Sequence, residues 1–225
     1  QIIGRDRYAE LISYLALVST TCEKIATEIR NLQRPELGEV EEYFDVKRQV
    51  GSSTMPQKRN PVISEKICGL ARIVRGFVLP SYENMVLWHE RDLTNSSAER
   101  FIIPHACILT HEIVEDLAFV IKNLQVNEKR MRENLEKAGE TVLAERVMLY
   151  LTLKKRLSRQ EAHEILRKAS MEAIEKNKSL SDMLLSSSET KKLLSKKELE
   201  ELFNVETYIG KSVEIVDEVN RKLFI

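Results

Sequence analysis

Residues 51–61 bring together side chains that can do chemistry, in the order Gly-Ser-Ser-Thr-Met-Pro-Gln-Lys-Arg-Asn-Pro. The stretch carries three hydroxyls, two cations and two carboxamides, and Glu65 follows it. A serine acts as a base only when nearby cations and dipoles stabilise its alkoxide, and this stretch contains both kinds of group. The residue types therefore predict a loop that handles an anionic substrate, with a solvated connector as the plain alternative.

The same stretch resists both regular structures, so a loop must position these groups. Gly51 permits unusual backbone angles, and Pro56 lacks a backbone donor. Asn60 before Pro61 favours a helix that begins near Pro61, with Asn60 as its cap. Glu65 then falls about one turn inside the helix, where the helix dipole favours a carboxylate even without any catalytic role.

A second group of polar side chains follows at Arg91, Ser96 and Arg100. Ser96 and Arg100 are four residues apart, so they share one face of a helix. Ser96 with Glu99 forms the pattern of a capping box, which predicts that a helix starts there. Free backbone N–H groups at such a start favour an anion, so the three side chains suit a phosphate. A surface cluster of ion pairs is the alternative.

The stretch 51–61 with Glu65 closely resembles the signature of the fumarase/aspartase superfamily of lyases. The resemblance implies that Ser52 is the base that removes a carbon-bound proton, and that Lys58 stabilises the intermediate. It also implies that Asn60 binds a substrate carboxylate with Ser53 beside it, and that Glu65 supports a catalytic histidine.

The run Trp-His-Glu-Arg-Asp at residues 88–92, followed by Ser-Ser-Ala-Glu-Arg at residues 96–100, is similar to the adenylosuccinate lyase family of that superfamily. The resemblance implies that Arg91, Ser96 and Arg100 hold the nucleotide phosphate and that Gln1 lies near the substrate. It implies elimination of fumarate from adenylosuccinate to give AMP, and the same elimination from the succinylated carboxamide ribotide of purine synthesis. It implies no metal and no organic cofactor.

Two alternatives stay open beside this interpretation. One is another member of the superfamily, such as a carboxymuconate cycloisomerase or argininosuccinate lyase, although neither resembles residues 88–100 as well. The other is a catalytically silent helical relative, which would have no need to retain all of the site residues together.

The general acid has no match within the sequence. Of the four histidines, His105, His111 and His163 fall in helical patterns, and His89 lies in the second polar group. We therefore expect the acid and the N-terminal domain to lie upstream of Gln1. The resembled family builds each site from several subunits, so we expect the isolated 225-residue chain to be inactive.

Composition limits the class of protein. The chain has 35 basic and 35 acidic residues among 225, so no basic field favours nucleic acid. Few glycines, prolines and aromatics, with many Leu, Glu and Lys, favour an all-α fold. The sequence contains no long apolar run, and Cys22, Cys68 and Cys107 are predicted to be buried thiols. These features lead us to expect a cytoplasmic protein without a membrane span.

Apolar residues at three- and four-residue steps predict long helices at 5–32, 61–79 and 96–124. We expect them to form part of a helix bundle of the fumarase/aspartase type, shared in a homotetramer. Shorter helices are predicted at 128–137, 141–156, 159–177, 196–203 and 208–223. The predicted domains are 1–126, the bundle part with the loop, and 127–225, a smaller helical domain.

Overall fold

The computed structural model describes residues 3–44, 59–89, 91–188 and 190–223, and it is almost entirely helical. Its elements in chain order are α1 (Asp6–Leu32), β1 (Val40–Glu41), α2 (Val62–Gly76), α3 (Val78–Glu83), α4 (Thr94–Lys122), β2 (Gln125–Val126), α5 (Glu128–Ala138), α6 (Ala144–Lys155), α7 (Arg159–Lys176), α8 (Leu180–Ser186), α9 (Lys196–Leu202) and α10 (Ser212–Leu223). Short 3₁₀ turns at 140–143, 190–192 and 205–207 connect the later helices. The all-α prediction is therefore confirmed.

The chain divides into two compact units, Gln1–Asn134 and Leu135–Ile225. The boundary between functional domains that the sequence suggests near Asn127 remains a prediction. Asn127 itself belongs to the first unit, where its backbone N–H donates to the carbonyl of Glu39.

Three long helices, α1, α2 and α4, pack together in the first unit. The buried residues of α1 recur every three or four positions, as a helix with one core-facing stripe requires. Many of them are small, which allows the helix axes to approach closely. The shared core is formed by Ala16, Cys22, Ala26, Ile67, Cys68, Ala71, Val74 and Ile113.

Contacts between side chains give the directions of these helices. Toward the end of α1, Thr27 contacts Cys68 in the middle of α2, while Glu23, one turn earlier, pairs with Arg75 near the end of α2. The helices α1 and α2 are therefore antiparallel. The helix α4 runs against α2 as well, because Phe101 in its second turn packs on Phe77, which follows α2.

Two short strands pair at the end of the first unit where α1 and α4 finish. The strands β1 and β2 pair antiparallel, with Val40 opposite Val126 and Glu41 opposite Gln125. The ladder ties the segment after α1 to the segment after α4.

The second unit has its own core, built from α6 to α9. Ser158 and Ser195 each form a complete capping box with the glutamate three residues later, so both predicted helix starts are confirmed. The helix α8, which begins after Ser179 as cap, is not among the helices that the sequence predicts. The buried residues are Val147, Leu151, Ala162, Leu166, Ala169, Ala173, Leu180, Met183, Leu184, Leu194, Leu199 and Leu202.

Three local predictions are wrong. The helix predicted at 61–79 is divided, because the chain turns at Phe77 and α3 follows with Pro80 in its first turn, where a missing N–H costs little. Cys107 is exposed, because it lies one helical step beyond the buried Ala106. Asn60 does not cap α2, whose cap position is Pro61 without any side-chain bond from that residue.

In the part of the chain that the structure describes, no helix is long and apolar enough to cross a membrane.

Candidate active site

Asn60 and Glu65 line one cleft at the N-terminal end of α2, with a volume of about 1340 Å³. Asn60 is half-buried where the chain enters α2, and Glu65 is exposed in its first turn. The cleft is also lined by Arg30, Gln33, Arg34, Pro35, Gly38, Val40, Glu41, Arg59, Pro61, Gln125, Val126, Asn127 and Glu128.

The cleft has mixed charge. Arg59 donates from Nη1 to Oε1 of Glu41 at 2.8 Å, and its guanidinium lies 5.5 Å from the centroid of the Phe44 ring. Arg30 points its Nη1 toward the Sγ of buried Cys68 at 3.5 Å. With Arg34 and the Asn60 carboxamide, these groups give the cleft several donors for a carboxylate.

A buried glutamate, not an asparagine, satisfies the start of α2. The Glu42 side chain is only 4 % exposed. Its Oε1 accepts from the backbone N–H of Ile63 at 3.0 Å, and its Oε2 accepts from the N–H and the hydroxyl of Ser64 at 2.9 and 2.8 Å. Because this carboxylate occupies the N-terminus of α2, those N–H groups are not available to a substrate anion.

Four predicted site residues, Gln1, Ser52, Ser53 and Lys58, lie outside the described residues. Their roles stay predictions that rest on the resemblance of the signature stretch.

The second polar group lies at the start of α4. Arg91 is half-buried in the segment before the helix, Ser96 is half-buried in the first turn and Arg100 is exposed in the second. Ser96 and Arg100 thus share a helix face, as their spacing predicts. His89 in the same segment is exposed and adopts φ 48°, a left-handed conformation that is uncommon for a residue with a side chain.

The predicted capping box of Ser96 and Glu99 is wrong. The helix begins at Thr94, and Asp92 orders the turn before it by accepting from the N–H and hydroxyl of Thr94 and from the N–H of Trp88 at 2.5–2.9 Å. The hydrogen bond from the Thr94 hydroxyl, followed by those two N–H groups, holds the pKa of Asp92 below its ordinary value. Glu99 instead forms an ion pair with Arg5, whose Nε lies 3.1 Å from Oε1 of Glu99.

Two buried polar side chains, Arg5 and Asn95, lie at the start of α4. Arg5 is 9 % exposed and ties the start of α1 to α4 through Glu99. Asn95 is fully buried, and neither atom of its carboxamide has a hydrogen-bond partner among the described residues. These groups lie on the inner side of the first turns of α4, next to the more exposed face that carries Ser96 and Arg100.

Among the described residues, Asn60 and Glu65 of the first polar group lie apart from Ser96 and Arg100 of the second within one chain. Glu65 lies at the start of α2, whereas Phe77, just after its end, contacts Phe101 beside Arg100. Glu65 and Phe77 are twelve residues apart, so about 18 Å separates them along the helix axis at a rise of 1.5 Å per residue. The described residues of the two groups therefore lie toward opposite ends of the same helices.

Sequence reasoning did not single out Gln33 and Arg59, which line the first cleft, or Glu42, which accepts from the first turn of α2 beside it. The pair Glu41-Glu42 falls in an acidic, irregular segment, where a buried carboxylate looks the same as a solvated one. One feature of the sequence could have indicated the role of Glu42. Pro61 has no side-chain acceptor, so the first backbone N–H groups of α2 need an acceptor from elsewhere in the chain.

Among the residues that the structure describes, no group of three or more His, Cys, Asp or Glu side chains is arranged to hold a metal ion.

Comparison with known proteins supplies the family. Residues 140–219 match the family model described as adenylosuccinate lyase C-terminus, and residues 1–76 match the family model described as lyase. Adenylosuccinate lyase of Methanocaldococcus jannaschii is 47% identical over 223 residues, which are 99% of this chain and 48% of that protein.

Two solved structures share the fold. A fumarate lyase from Mesorhizobium sp. BNC1 superposes with a TM-score of 0.84 at 31% identity, covering 97% of this chain and 47% of that one. A 3-carboxy-cis,cis-muconate lactonizing enzyme from Pseudomonas putida gives a TM-score of 0.79 at 32% identity, covering 92% of this chain and 45% of that one.

The all-α fold, the cleft beside the signature stretch and these matches define the class as the lyases of the fumarase/aspartase superfamily. Within that class, the chain belongs to the adenylosuccinate lyase family. It spans about half the length of the curated relatives it matches.

Proposed function

We propose that the protein eliminates fumarate from adenylosuccinate to give AMP, and from the succinylated carboxamide ribotide of purine synthesis in the same way. The observation that carries this proposal is the polar face at the start of α4, where Ser96 and Arg100 lie side by side and Arg91 precedes them. A phosphorylated substrate explains this face, and relatives named adenylosuccinate lyase support the choice of nucleotide.

The reaction removes a proton and a nitrogen from neighbouring carbons of the succinyl group. A base takes the proton from the carbon beside a carboxylate, and the electron pair is held on that carboxylate as a dianion. The pair then forms the double bond of fumarate while the C–N bond breaks and the nitrogen takes a proton from an acid. Each step needs a matched group: a base, positive charge at the carboxylate, and an acid.

Ser52 acts as the base in this proposal, and Lys58 stabilises the dianion. Asn60 binds the carboxylate with Ser53, and its place on a cleft with three arginines supports this role. Glu65 lines the same cleft, where it holds a histidine that this sequence does not contribute. Gln1 contacts the substrate, and no metal or organic cofactor takes part.

Arg91, Ser96 and Arg100 bind the phosphate in this proposal. A phosphate accepts several hydrogen bonds, and an arginine offers a planar pair of donors that match it. The N-terminus of α4 adds favourable charge and its remaining backbone N–H groups, since the Thr94 N–H already donates to Asp92.

We also propose a homotetramer in the cytoplasm, with sites shared between subunits. The long helices keep large apolar side chains exposed, such as Tyr14 and Leu17 on α1 and Ile108 on α4, each 64–67 % exposed. Exposed apolar surface of this kind on packed helices favours association with other helices. Sharing also joins the two parts of the site that one chain keeps apart.

A cycloisomerase acting on a carboxymuconate is the second candidate, favoured by the similarity to the Pseudomonas putida structure. The substrate of a cycloisomerase has carboxylates but no phosphate. That function would therefore leave Ser96 and Arg100 at the start of α4 without a ligand. A catalytically silent relative remains the candidate from another class.

The test is product analysis with the full-length protein. Incubation with adenylosuccinate is expected to release AMP and fumarate in equal amounts, and incubation with 3-carboxymuconate is expected to give no lactone. Lactone formation without adenylosuccinate cleavage would favour the cycloisomerase, and no reaction with either compound would favour the silent relative.

A further inference from the structure

An ion pair attaches α4 to α1 beside the residues that are proposed to bind the phosphate. Glu99 follows Ser96 by three residues and directly precedes Arg100 in α4. Its Oε1 lies 3.1 Å from Nε of Arg5, which occupies the cap position of α1. The pair therefore joins the start of α1 to the turn of α4 that carries Arg100.

Glu99 belongs to the face of α4 that packs against the rest of the first unit. Asn95 and Ile102 are buried on this face, four residues before and three residues after Glu99. Ser96 and Arg100 each follow a residue of this face by one position, so their side chains lie about 100° further around the helix. A rotation of α4 about its axis would therefore displace both proposed phosphate ligands.

The ion pair is well placed to prevent such a rotation. The side chain of Arg5 is 9 % exposed and that of Glu99 is 16 % exposed, so water reaches neither charge easily. A poorly exposed charge that loses its partner is costly, and the structure around it must move to compensate. Arg5 is also held from its own helix, because its guanidinium lies 5.2 Å from the centroid of the Tyr8 ring.

We propose that Arg5 and Glu99 are positioning residues for the phosphate of the substrate. Neither side chain contacts the phosphate in this proposal. Their ion pair fixes the rotation of α4, and so the places of Ser96 and Arg100. The inference rests on the proposed function, since it needs these two side chains to bind a phosphate.

Two simpler roles of the pair make different predictions. A carboxylate near a bound phosphate repels it, so a Glu99 that acted only through its charge would weaken binding, and its removal would improve binding. A pair that only stabilised the fold would contribute to the melting temperature and leave the choice of substrate unchanged. The positioning role instead predicts that removing the negative charge of Glu99 weakens binding of the phosphorylated substrate.

Three variants and a matched control separate these roles. Glu99→Gln keeps the size of the side chain and removes its charge, and Arg5→Met removes the charge of the partner. Arg5→Lys is the conservative variant, because it keeps that charge. Asp116→Asn is the control, because Asp116 is a carboxylate of α4 with a similar exposure of 18 % that pairs with Lys66 of α2. It lies sixteen residues after Arg100, about 24 Å along the helix axis.

The experiment uses the full-length protein and measures kcat and KM with adenylosuccinate and with the substrate that lacks the phosphate, AMP binding and the melting temperature. Glu99→Gln and Arg5→Met are expected to raise KM for adenylosuccinate and the Kd of AMP about 5- to 30-fold, with kcat within about threefold of wild type. Both should keep the wild-type kcat/KM with the substrate that lacks the phosphate. Arg5→Lys is expected to change KM less than about threefold, since it retains the charge. Asp116→Asn is expected to lower the melting temperature only.

An unchanged or lowered KM for adenylosuccinate in Glu99→Gln would overturn the proposal, even if Arg5→Met fails to fold. Equal losses with both substrates would also overturn it, because the pair would then act on something other than the phosphate. The proposed function fails separately: either the wild-type protein does not cleave adenylosuccinate, or Arg100→Ala keeps its KM for that substrate.

Discussion

Ser52 and Arg100 have different tasks in the proposed reaction, and their substitutions should therefore give different kinetics. A base acts only in the transition state, so its loss lowers kcat, whereas a phosphate ligand contributes to binding. The structure supports the second task through the exposed position of Arg100 on the face of Ser96, whereas the first rests on the signature stretch.

Ser52→Ala is expected to lower kcat at least about 1000-fold, with KM changed less than about fivefold, because general bases contribute on this scale. Steady-state kinetics with adenylosuccinate measure both constants. Ser97→Ala removes an exposed hydroxyl from α4 and is expected to behave as wild type. A kcat near the wild-type value in Ser52→Ala would assign the base to another residue.

Arg100→Ala is expected to raise KM for adenylosuccinate about 10- to 100-fold, because it removes a charge-assisted contact to the phosphate. With the substrate that lacks the phosphate, the variant and the wild type should have the same kcat/KM. Arg72→Ala, which removes an exposed arginine from α2, serves as control. Equal losses with both substrates would contradict the phosphate assignment.

At the scale of elements, the sequence predicts a helix well when the residues of the helix itself carry the pattern. The helices predicted at 5–32, 159–177 and 196–203 rest on local patterns, and the structure confirms them as α1, α7 and α9. The box at Ser96 fails because Glu99 has a better partner in Arg5, ninety-four positions away in the sequence. Tertiary contacts of this kind cannot be read from spacing.

The capping box at the start of α9 contains a carboxylate, Glu198, whose contribution to stability can be tested. Hydrogen bonds from Lys155, then Tyr150 and Ser195, lower the pKa of Glu198 below its usual value. A carboxylate with a lowered folded-state pKa stabilises the fold above its unfolded pKa, near 4.3, and this stabilisation is lost as the pH falls through the folded pKa.

Glu198→Gln is therefore expected to reduce the free energy of unfolding by about 1 kcal/mol at neutral pH, the scale of a capping interaction. The difference from wild type should shrink as the pH is lowered below about 4. Thermal unfolding over a pH series measures it, with Glu200→Gln on the exposed side of α9 as control. A difference that is constant with pH would mean that the charge of Glu198 is not involved.

At the scale of the whole molecule, the sequence predicts the residues of the site but not their arrangement. Asn60, Glu65, Arg91, Ser96 and Arg100 are all identifiable from their patterns. Only the antiparallel packing of α2 with α4 places them at opposite ends, since the direction of packing depends on contacts such as Phe77 with Phe101. The proposed site uses both ends, and we therefore propose that it combines different chains.

Mixing two inactive variants of the full-length protein tests this arrangement most directly. Ser52→Ala and Arg100→Ala are unfolded, combined in equal amounts, refolded and assayed with adenylosuccinate at a concentration that leaves each variant alone nearly inactive. Random hybrid tetramers should recover roughly a quarter of the wild-type activity, because some sites draw an intact Ser52 and an intact Arg100 from different chains. No activity above that of the separate variants, in a mixture shown to contain hybrids, would contradict the shared site.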